Sequence, residues 1–305
     1  MVTPAESLAD ALAAGPVVLD GGFATELERR GHDLSGALWS ARVLRDDPGE
    51  VVAAHRAFVE AGARVLETAS YQASFEGLAS AGVDADGTRA LLRRSVDLAR
   101  EAAGDQPVWV AASVGPYGAA RADGSEYTGA YADELDVRAL RQFHRERLHV
   151  LADAGADLLA LETVPCLAEA QALVEEAEAV GVPAWLSLTT VTTPDGRVLT
   201  RRGEPAEEAF ALARDSSTVI GVGVNCTDPT RVPPAVRLAA RVSGKPVVVY
   251  PNSGEGWDAR TRVWTGAARF DPEDVEGWVR AGARLVGGCC RVTPDAIAGL
   301  AAVLT

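Results

Sequence analysis

Three of the four cysteines in this sequence follow short apolar segments that are typical of buried strands. Cys226 follows one such segment, and the adjacent residues Cys289 and Cys290 follow another. In a parallel barrel these two strands would flank a third, and all would end on the same face, so the thiols would meet there. Three thiolates suit Zn²⁺ and leave its fourth tetrahedral position open. We therefore predict a zinc site, with core packing or a redox pair as the alternatives.

An open zinc site made of thiolates favours one kind of chemistry. It binds a substrate thiol, lowers the pKa of that thiol and holds it as a nucleophile at neutral pH. Zinc that activates water is usually held by histidine and carboxylate instead. No histidine follows a predicted strand, and we expect all four to be structural or exposed (His32, His55, His144 and His149). The predicted reaction is attack by a substrate sulfur on an electrophilic carbon. The fourth cysteine, Cys166, is predicted to be a small buried hydrophobic residue.

Acidic side chains also follow predicted strands. Asp20 and Glu162 end the first and the fourth strand, and Glu67 is similarly placed on the second. Paired carboxyl groups in a barrel can act as an acid and base couple, as in glycoside hydrolases, or form ordinary buried salt bridges. Beside a thiol-binding zinc, we expect Asp20 and Glu162 to bind an α-ammonium group. For Glu67 the salt bridge and the ammonium contact both stay open.

Neutral polar groups on the same face would complete a site for an amino acid. The backbone amides after Ser113 can donate to an α-carboxylate, and the side chains of Ser70 and Asn252 can do the same. An α-amino acid is therefore the expected ligand.

Alternating apolar and amphipathic segments would position these residues. The predicted strands are residues 16–19, 64–67, 108–113, 158–161, 184–188, 219–224, 246–250 and 284–286. The predicted helices are residues 50–61, 88–103, 133–154, 167–180, 205–214, 229–242, 271–281 and 294–304. Eight strands alternating with eight helices predict a single-domain (β/α)8 TIM barrel over residues 1–305. The alternative, a doubly wound open sheet, lacks its glycine-rich nucleotide fingerprint here.

Composition excludes several classes of protein. Hydrophobic residues make up 48% of the 305 residues and charged residues 24%, which is ordinary for a chain with a large core. The net charge of −14 offers no basic surface for nucleic acid or an anionic membrane. Four cysteines are too few for a disulfide scaffold. No apolar run is long enough to span a membrane and the first residues include no basic one, so we expect a cytoplasmic protein.

The segments at the strand ends resemble those of the homocysteine S-methyltransferases. They are DGG at 20–22, TASYQA at 68–73, SVGPYG at 113–118, ADGSEY at 122–127, ET at 162–163, NC at 225–226, YPNSGE at 250–255 and GGCCR at 287–291. The resemblance runs from about residue 16 to the C-terminus. The most specific part is Asn-Cys followed by Gly-Gly-Cys-Cys. The most similar subgroup contains the stand-alone enzymes that use S-methylmethionine, and often S-adenosylmethionine, as methyl donor.

The resemblance implies a set of ligands and roles. It implies a (β/α)8 barrel with one Zn²⁺ held by Cys226, Cys289 and Cys290, and with the sulfur of L-homocysteine as the next ligand. The implied amino-acid contacts are Asp20, Ser70, Ser113, Glu162 and Asn252, with Tyr71 and Asn225 lining the site. The substrates would be L-homocysteine and a sulfonium donor, and methionine would be the product. No catalytic residue is implied beyond the metal-activated substrate thiolate.

Three other functions stay open from sequence. A non-catalytic zinc-binding barrel would need no amino-acid site. A barrel methyltransferase for a related thiol or selenol would share every motif. A hydrolase that uses Asp20 and Glu162 would leave the cysteines unexplained. The sequence makes no prediction of oligomeric state.

Overall fold

Eight parallel strands form a closed barrel in which neighbours follow the chain order. The computed structural model describes residues 4–34, 39–258 and 263–304. The strands are β1 Val17–Val18, β2 Val65–Glu67, β3 Trp109–Val114, β4 Leu158–Val164, β5 Ala184–Leu188, β6 Val219–Asn225, β7 Val247–Tyr250 and β8 Ala283–Val286. β8 pairs with β1, and a parallel bridge between Leu19 and Val65 closes the ring. The predicted (β/α)8 barrel is therefore confirmed.

Most strand residues are apolar because both faces of the strands are buried. In β4, Leu158 and Ala160 belong to the core inside the barrel, whereas Leu159 and Leu161 belong to the core between the strands and the helices. Strand side chains alternate between the two faces, so one apolar run supplies both layers. This arrangement explains why the strands appear in the sequence as continuous apolar segments.

Helices surround the barrel and also occupy its loops. They are α1 Leu8–Ala14, α2 Phe23–Arg29, α3 Trp39–Asp46, α4 Pro48–Glu60, α5 Phe75–Ser80, α6 Ala85–Ala103, α7 Tyr117–Arg121, α8 Val137–Asp153, α9 Leu167–Val180, α10 Ala206–Ala211, α11 Val232–Ser243, α12 Val275–Ala281 and α13 Pro294–Leu304. Eight of them match the predicted helices, with ends that differ by a few residues. Within the described ranges, no helix has the length and apolar character needed to cross a bilayer.

Helix α1 was not predicted from sequence. It precedes the first strand and packs Leu8 and Leu12 against barrel residues such as Trp109 and Leu285. The Ser7 side chain caps it by accepting a hydrogen bond from the Asp10 N–H (3.1 Å). Seven residues are too few to show a helical repeat reliably, which is why the sequence did not predict this helix. A helix this short depends on tertiary packing against the barrel for its stability.

The long segments after β1, β2 and β3 contain helices that were not predicted from sequence. They include α2, α3, α5 and α7, and two 3₁₀ turns at Ser125–Tyr127 and Ala130–Asp133. Two antiparallel hairpins lie outside the barrel, Thr190–Thr192 with Val198–Thr200 and Gly256–Asp258 with Val263–Thr265. These elements surround the mouth of the barrel, which is the face with the carboxyl ends of the strands.

Strand β4 is longer than predicted. The prediction ended at residue 161, but the strand continues through Glu162 and Thr163 to Val164. Its register with β5 shifts between Leu161 and Val164. Two polar residues interrupt the apolar pattern, so periodicity alone could not extend the strand over them.

Candidate metal and substrate site

The three predicted metal ligands converge just beyond β6 and β8. The Sγ of Cys226 lies 2.8 Å from that of Cys289 and 4.0 Å from that of Cys290, and the last two sulfurs are 4.0 Å apart. Among the residues that the structure describes, they form the one group of three His, Cys, Asp or Glu side chains close enough to share a metal ion. All three thiols are free.

The sulfur positions fit a tetrahedral metal ion. Zinc–sulfur bonds of about 2.3 Å at tetrahedral angles hold two sulfurs about 3.8 Å apart. Two of the three separations match this spacing, and the third would open by about 1 Å on metal binding. Cys226 is buried, whereas Cys289 and Cys290 are partly exposed. A substrate can therefore approach from the side of the cysteine pair.

Local backbone geometry brings the sulfurs together. Cys226 has a φ of 46°, which turns the chain sharply as β6 ends. The Cys289 N–H donates to the Pro251 carbonyl (2.7 Å), tying the segment after β8 to the segment after β7. A Cβ at Gly288 would lie 2.2 Å from a methyl carbon of Val292. Close packing therefore requires glycine immediately before the cysteine pair.

Hydrogen bonding favours a thiolate at Cys290. The thiols of Cys226 and Cys289 lower the pKa of Cys290 well below its usual value, and the Tyr127 hydroxyl acts in the same direction. The pKa of Cys289 is raised, first by its hydrogen bond with Cys226. Since the thiolate is the form that binds metals, Cys290 is the thiol of the three most ready to act as a ligand.

Three carboxyl groups lie together inside the barrel mouth. Asp20 is fully buried; one of its oxygens accepts the Glu67 N–H (2.9 Å), and the other has no hydrogen-bond partner. One buried oxygen of Glu67 is also without a partner. Glu162, which is 5% exposed, accepts a hydrogen bond from the Ser113 hydroxyl. Buried oxygens without donors are costly, so this cluster is suited to a ligand that brings hydrogen-bond donors.

The electrostatics of this cluster also favour a cationic ligand. Burial is the largest cause that raises the pKa of Asp20, Glu67 and Glu162, and it brings that of Glu162 to about 7. Charge repulsion among the carboxylates raises the pKa of Asp20 and Glu67 further, whereas the Arg147 guanidinium lowers that of Glu162. An ammonium group among the three would stabilise their charged forms.

The neutral residues predicted for substrate contact reach the same mouth. The Ser70 hydroxyl donates to the Ser113 carbonyl (2.7 Å), so it ties β3 to the segment after β2. The Asn252 Oδ1 accepts the Cys290 N–H (3.2 Å). A Cβ at Gly115 would lie 2.7 Å from the Tyr71 ring, which shows how closely that ring packs on the segment after β3. The structure thus brings together all the residues predicted for the site.

Asn225 lies at the same face but is fully buried. Its amide hydrogen-bonds to Glu162, Thr163 and Ser187. It therefore contacts the site through other side chains of the protein.

Sequence reasoning missed Glu126. This residue lies in the 3₁₀ turn Ser125–Tyr127, is 8% exposed and has one carboxylate oxygen without a hydrogen-bond partner. Burial raises its pKa to about 7, and the charge of Cys290 contributes in the same direction. Glu126 is part of the ADGSEY segment but follows no strand, so the strand-end rule did not single it out.

Sequence reasoning also missed the buried carboxylate of Glu169. It accepts hydrogen bonds from the Tyr117 N–H (2.6 Å), the Tyr131 hydroxyl and His144 Nε2 (2.9 Å). Tyr117 and Tyr131 bracket the segment that contains Glu126. Glu169, on α9, therefore anchors this segment at both ends. The predicted structural role of His144 agrees with this position.

Comparison with known proteins identifies the family. The family model for homocysteine S-methyltransferase matches residues 17–304. The chain belongs to the homocysteine S-methyltransferase family. A Zea mays relative, homocysteine S-methyltransferase 4, is 45% identical to this family member, with 95% of this chain and 89% of the relative covered. Selenocysteine Se-methyltransferase from Brassica oleracea var. italica is 41% identical, with coverage of 93% and 87%.

A solved structure of the same family has the same fold. The homocysteine methyltransferase MmuM from Escherichia coli, in its metallated form, superposes with a TM-score of 0.83 at 40% identity, covering 95% of this chain and 96% of the MmuM chain. The family resemblance predicted from the strand-end segments is therefore confirmed. Together with the three-cysteine cluster, the metallated relative indicates a metal site in this family member.

Proposed function

We propose that this protein transfers a methyl group from a sulfonium donor to the thiol of L-homocysteine, giving methionine, and that its metal is zinc. One observation supports this most directly: three thiols and three buried carboxyl groups share one barrel mouth. The thiol cluster suits a metal that binds a substrate thiol. The carboxyl cluster suits an α-ammonium group. Homocysteine carries both groups on one short chain.

Cys226, Cys289 and Cys290 would hold the zinc. When bound, zinc supplies the lowered thiol pKa that keeps the substrate sulfur as a thiolate at neutral pH. The chain's own residues do the remaining work. Asp20 and Glu162 bind and orient the ammonium group, and the amides after Ser113 and the Asn252 side chain are available to the carboxylate. Fixing both ends of the amino acid orients its sulfur towards the donor. Because the methyl group is already activated, such positioning supplies a large part of the rate enhancement.

The transfer is a direct displacement. The homocysteine sulfur supplies an electron pair to the methyl carbon of the donor while the bond from that carbon to the sulfonium sulfur breaks. The departing sulfur keeps the bonding pair and becomes a neutral thioether. The thiol proton is released, so a thiolate and a sulfonium yield two thioethers. With S-methylmethionine as donor, both products are methionine.

The donor would lie on the exposed side of the cysteine cluster. Tyr71, Tyr127 and Glu126 lie near this side. After burial, the charges of Glu126 and Cys226 raise the pKa of Tyr71, and the cysteines together with Tyr71 raise the pKa of Tyr127. Aromatic faces and a buried carboxylate attract a cation. S-methylmethionine and S-adenosylmethionine both carry a sulfonium charge, and we propose S-methylmethionine as the main donor.

A selenol acceptor is the second candidate substrate. The selenocysteine Se-methyltransferase from Brassica oleracea var. italica is 41% identical to this chain. A three-thiolate metal site that accepts a thiolate also accepts the softer selenolate. We place the reaction in the cytoplasm, where the three cysteines stay reduced.

Methionine formation from homocysteine and S-methylmethionine tests this function. The native protein, the chelator-stripped protein and the stripped protein with zinc restored should be compared in one assay. We expect turnover in the first and third samples only. Turnover that survives complete metal removal would contradict the zinc site. Bound zinc without any methyl transfer, with homocysteine or selenocysteine as acceptor, would favour a non-catalytic metal protein.

A further inference from the structure

Strand β4 contains a bulge beside the carboxyl cluster. Leu161 pairs with Leu186 and Val164 pairs with Leu188, so three steps along β4 match two steps along β5. The extra residue allows Val164 to join the outer core with Leu161. Thr163 has a φ of 58°. A β-branched residue at positive φ is strained and persists only where its surroundings hold it.

Asn225 holds this bulge from two strands away. Its Oδ1 accepts hydrogen bonds from the Thr163 N–H (2.8 Å) and the Ser187 hydroxyl (2.9 Å). Its Nδ2 donates to the Thr163 hydroxyl (2.7 Å) and to Glu162 Oε2 (3.4 Å). The side-chain amide therefore joins the ends of β4, β5 and β6. It has two donors and two preferred acceptor positions, and all four are occupied.

We propose that Asn225 is a positioning residue that stabilises the β4 bulge and so aims the Glu162 carboxylate at the substrate ammonium group. Bulges beside active sites commonly redirect a side chain. The Ser113 hydroxyl and the Asn225 amide bond to different oxygens of Glu162, so they fix its orientation from both sides. Substrate contact by Asn225, the role implied by the family resemblance, would require one of its four hydrogen bonds to break.

The proposal predicts loss of affinity for one type of ligand only. Without Asn225, Thr163 is free to leave its strained conformation, and the Glu162 carboxylate is no longer held in its orientation. Affinity for the ammonium group then falls, while the thiol-binding cluster remains. The ligands to compare are homocysteine and 4-mercaptobutanoate, which has the same thiol and carboxylate but no ammonium group. A general loss of structure would weaken binding of both.

Calorimetric titration of the zinc-loaded protein with both thiols tests this selectivity. For Asn225→Ala we expect homocysteine to bind at least about tenfold more weakly, a loss of about 1.4 kcal/mol, while 4-mercaptobutanoate and the zinc content stay near wild-type values. Thr190→Val is the matched control, because Thr190 is another buried threonine at this face whose hydroxyl contacts Thr227 rather than the bulge. It should bind both thiols normally. Equal weakening of both thiols by Asn225→Ala would overturn the proposal.

Glycine at position 163 provides the rescue test. Glycine adopts positive φ without strain, so Thr163→Gly should keep the bulge without help from Asn225. We expect Thr163→Gly alone to weaken homocysteine binding by less than about threefold, because glycine removes the strain that the amide offsets. In the double variant with Asn225→Ala, affinity should recover most of the loss. No recovery would contradict the positioning role.

This inference rests on the proposed function for its binding readout, so a second readout is independent of it. Failure of the wild-type protein to bind homocysteine would refute the proposed function. The bulge itself is tested by a crystal structure of zinc-loaded Asn225→Ala. We expect Thr163 to leave positive φ and the Glu162 carboxylate to turn away from the Ser113 hydroxyl. An unchanged bulge in that structure would refute the inference, whatever the binding result.

Discussion

At the scale of single residues, the site separates two tasks between two clusters of unlike chemistry. Cys226, Cys289 and Cys290 bring three soft thiols together, and Asp20 and Glu162 bring together buried carboxyl groups whose pKa values are raised by burial. Each cluster is suited to a bound partner. The thiols suit a metal ion, and the carboxyl groups suit a cation. A metal ion together with an amino thiol satisfies both clusters at once.

The three cysteines that we propose as zinc ligands should behave as a unit. Replacing Cys226, Cys289 or Cys290 singly with serine should lower the zinc content from one per chain to well below half and reduce methyl transfer by at least about a hundredfold, because zinc prefers thiolate over hydroxyl ligands. Atomic spectroscopy and the methionine assay measure the two effects. Cys166→Ala is the control, since Cys166 is fully buried outside this cluster. Full zinc content in Cys289→Ser would show that the ligand set is wrong.

Glu162 should stabilise the complex with homocysteine, whereas in the ligand-free protein its charged form should lower the free energy of unfolding. Burial raises its pKa to about 7 from the ordinary 4.5. The folded state therefore binds this proton more tightly than the unfolded state. The stabilisation it brings is complete below pH 4.5 and is lost as the pH rises through 7. Glutamine is uncharged at every pH, so Glu162→Gln should melt a few degrees above wild type at pH 8, with a smaller difference at pH 5. It should bind homocysteine at least about tenfold more weakly, because the ammonium loses a charged partner.

Glu176 provides a control of opposite sign. Although burial acts against it, hydrogen bonds from Arg145 and Arg141 lower the pKa of Glu176. Glu176→Gln should therefore lower the melting temperature at pH 8 and leave homocysteine binding unchanged. If Glu162→Gln also lowered the melting temperature at pH 8, the charged form of Glu162 would not destabilise the folded protein.

At the scale of elements, the segment from Tyr117 to Asp133 completes the mouth over the cysteines. It follows β3 and includes α7 and two 3₁₀ turns. Glu169 anchors it through Tyr117 and Tyr131, so Glu126 and Tyr127 between them are held near the thiols. The anchoring carboxylate is on α9, outside the barrel strands. The helical layer therefore positions the side of the site that we propose for the donor, and the strands position the side that we propose for homocysteine.

Glu126 should recognise the charge of the donor. We expect Glu126→Gln to raise the KM for S-methylmethionine about tenfold, the effect of losing about 1.4 kcal/mol of attraction, with little change in the KM for homocysteine. Because the pKa of Glu126 is about 7, the donor KM of the wild type should also rise as the pH falls below 7. Glu134→Gln removes the same charge from an exposed position just beyond this segment and should change neither constant. An equal rise in both KM values would show that Glu126 does not recognise the donor specifically.

The elements that sequence could predict are those with a repeating pattern. The eight strands are mainly apolar runs, and the candidate site residues that directly follow them, such as Cys226 and Asp20, could be identified from position alone. The β4 bulge could not, because Glu162 and Thr163 break the apolar run and the bulge depends on an amide two strands away. Glu126 was missed for a related reason. Its burial results from tertiary packing of a short turn, which no local pattern encodes.

At the scale of the whole molecule, charge and topology both affect how substrates arrive. The net charge is −14, and the closed barrel gathers its functional groups at one mouth. A field of one sign attracts ligands of the opposite sign over distances set by the ionic strength. S-methylmethionine has a net positive charge at neutral pH, whereas homocysteine is a neutral zwitterion. The two substrates should therefore respond differently to salt.

Salt should slow capture of the donor selectively. Between 20 mM and 500 mM KCl we expect kcat/KM for S-methylmethionine to fall several-fold, because screening shortens the reach of the protein's field from roughly 20 Å to about 4 Å. The value for homocysteine should stay within about twofold. Sucrose at matched osmolality controls for effects on water activity. Equal decreases for both substrates would show that salt acts on the protein rather than on the charge of the donor.

The filled lower end of the barrel has a consequence for the sequence of events in each turnover. Helix α1 and the inner core close the barrel from below, so both substrates enter through the mouth. Asp20 and Glu162 are fully or almost fully buried, whereas Cys289 and Cys290 are partly exposed. If the donor lies on the exposed side of the cysteines, as we propose, homocysteine must pass the cysteines before the donor covers them. We expect a compulsory-order kinetic mechanism in which homocysteine binds first. S-methylmethionine bound to the homocysteine-free enzyme should not be converted to product. Isotope-trapping experiments would reveal the order, and trapping of donor bound alone would show that a second route into the barrel exists.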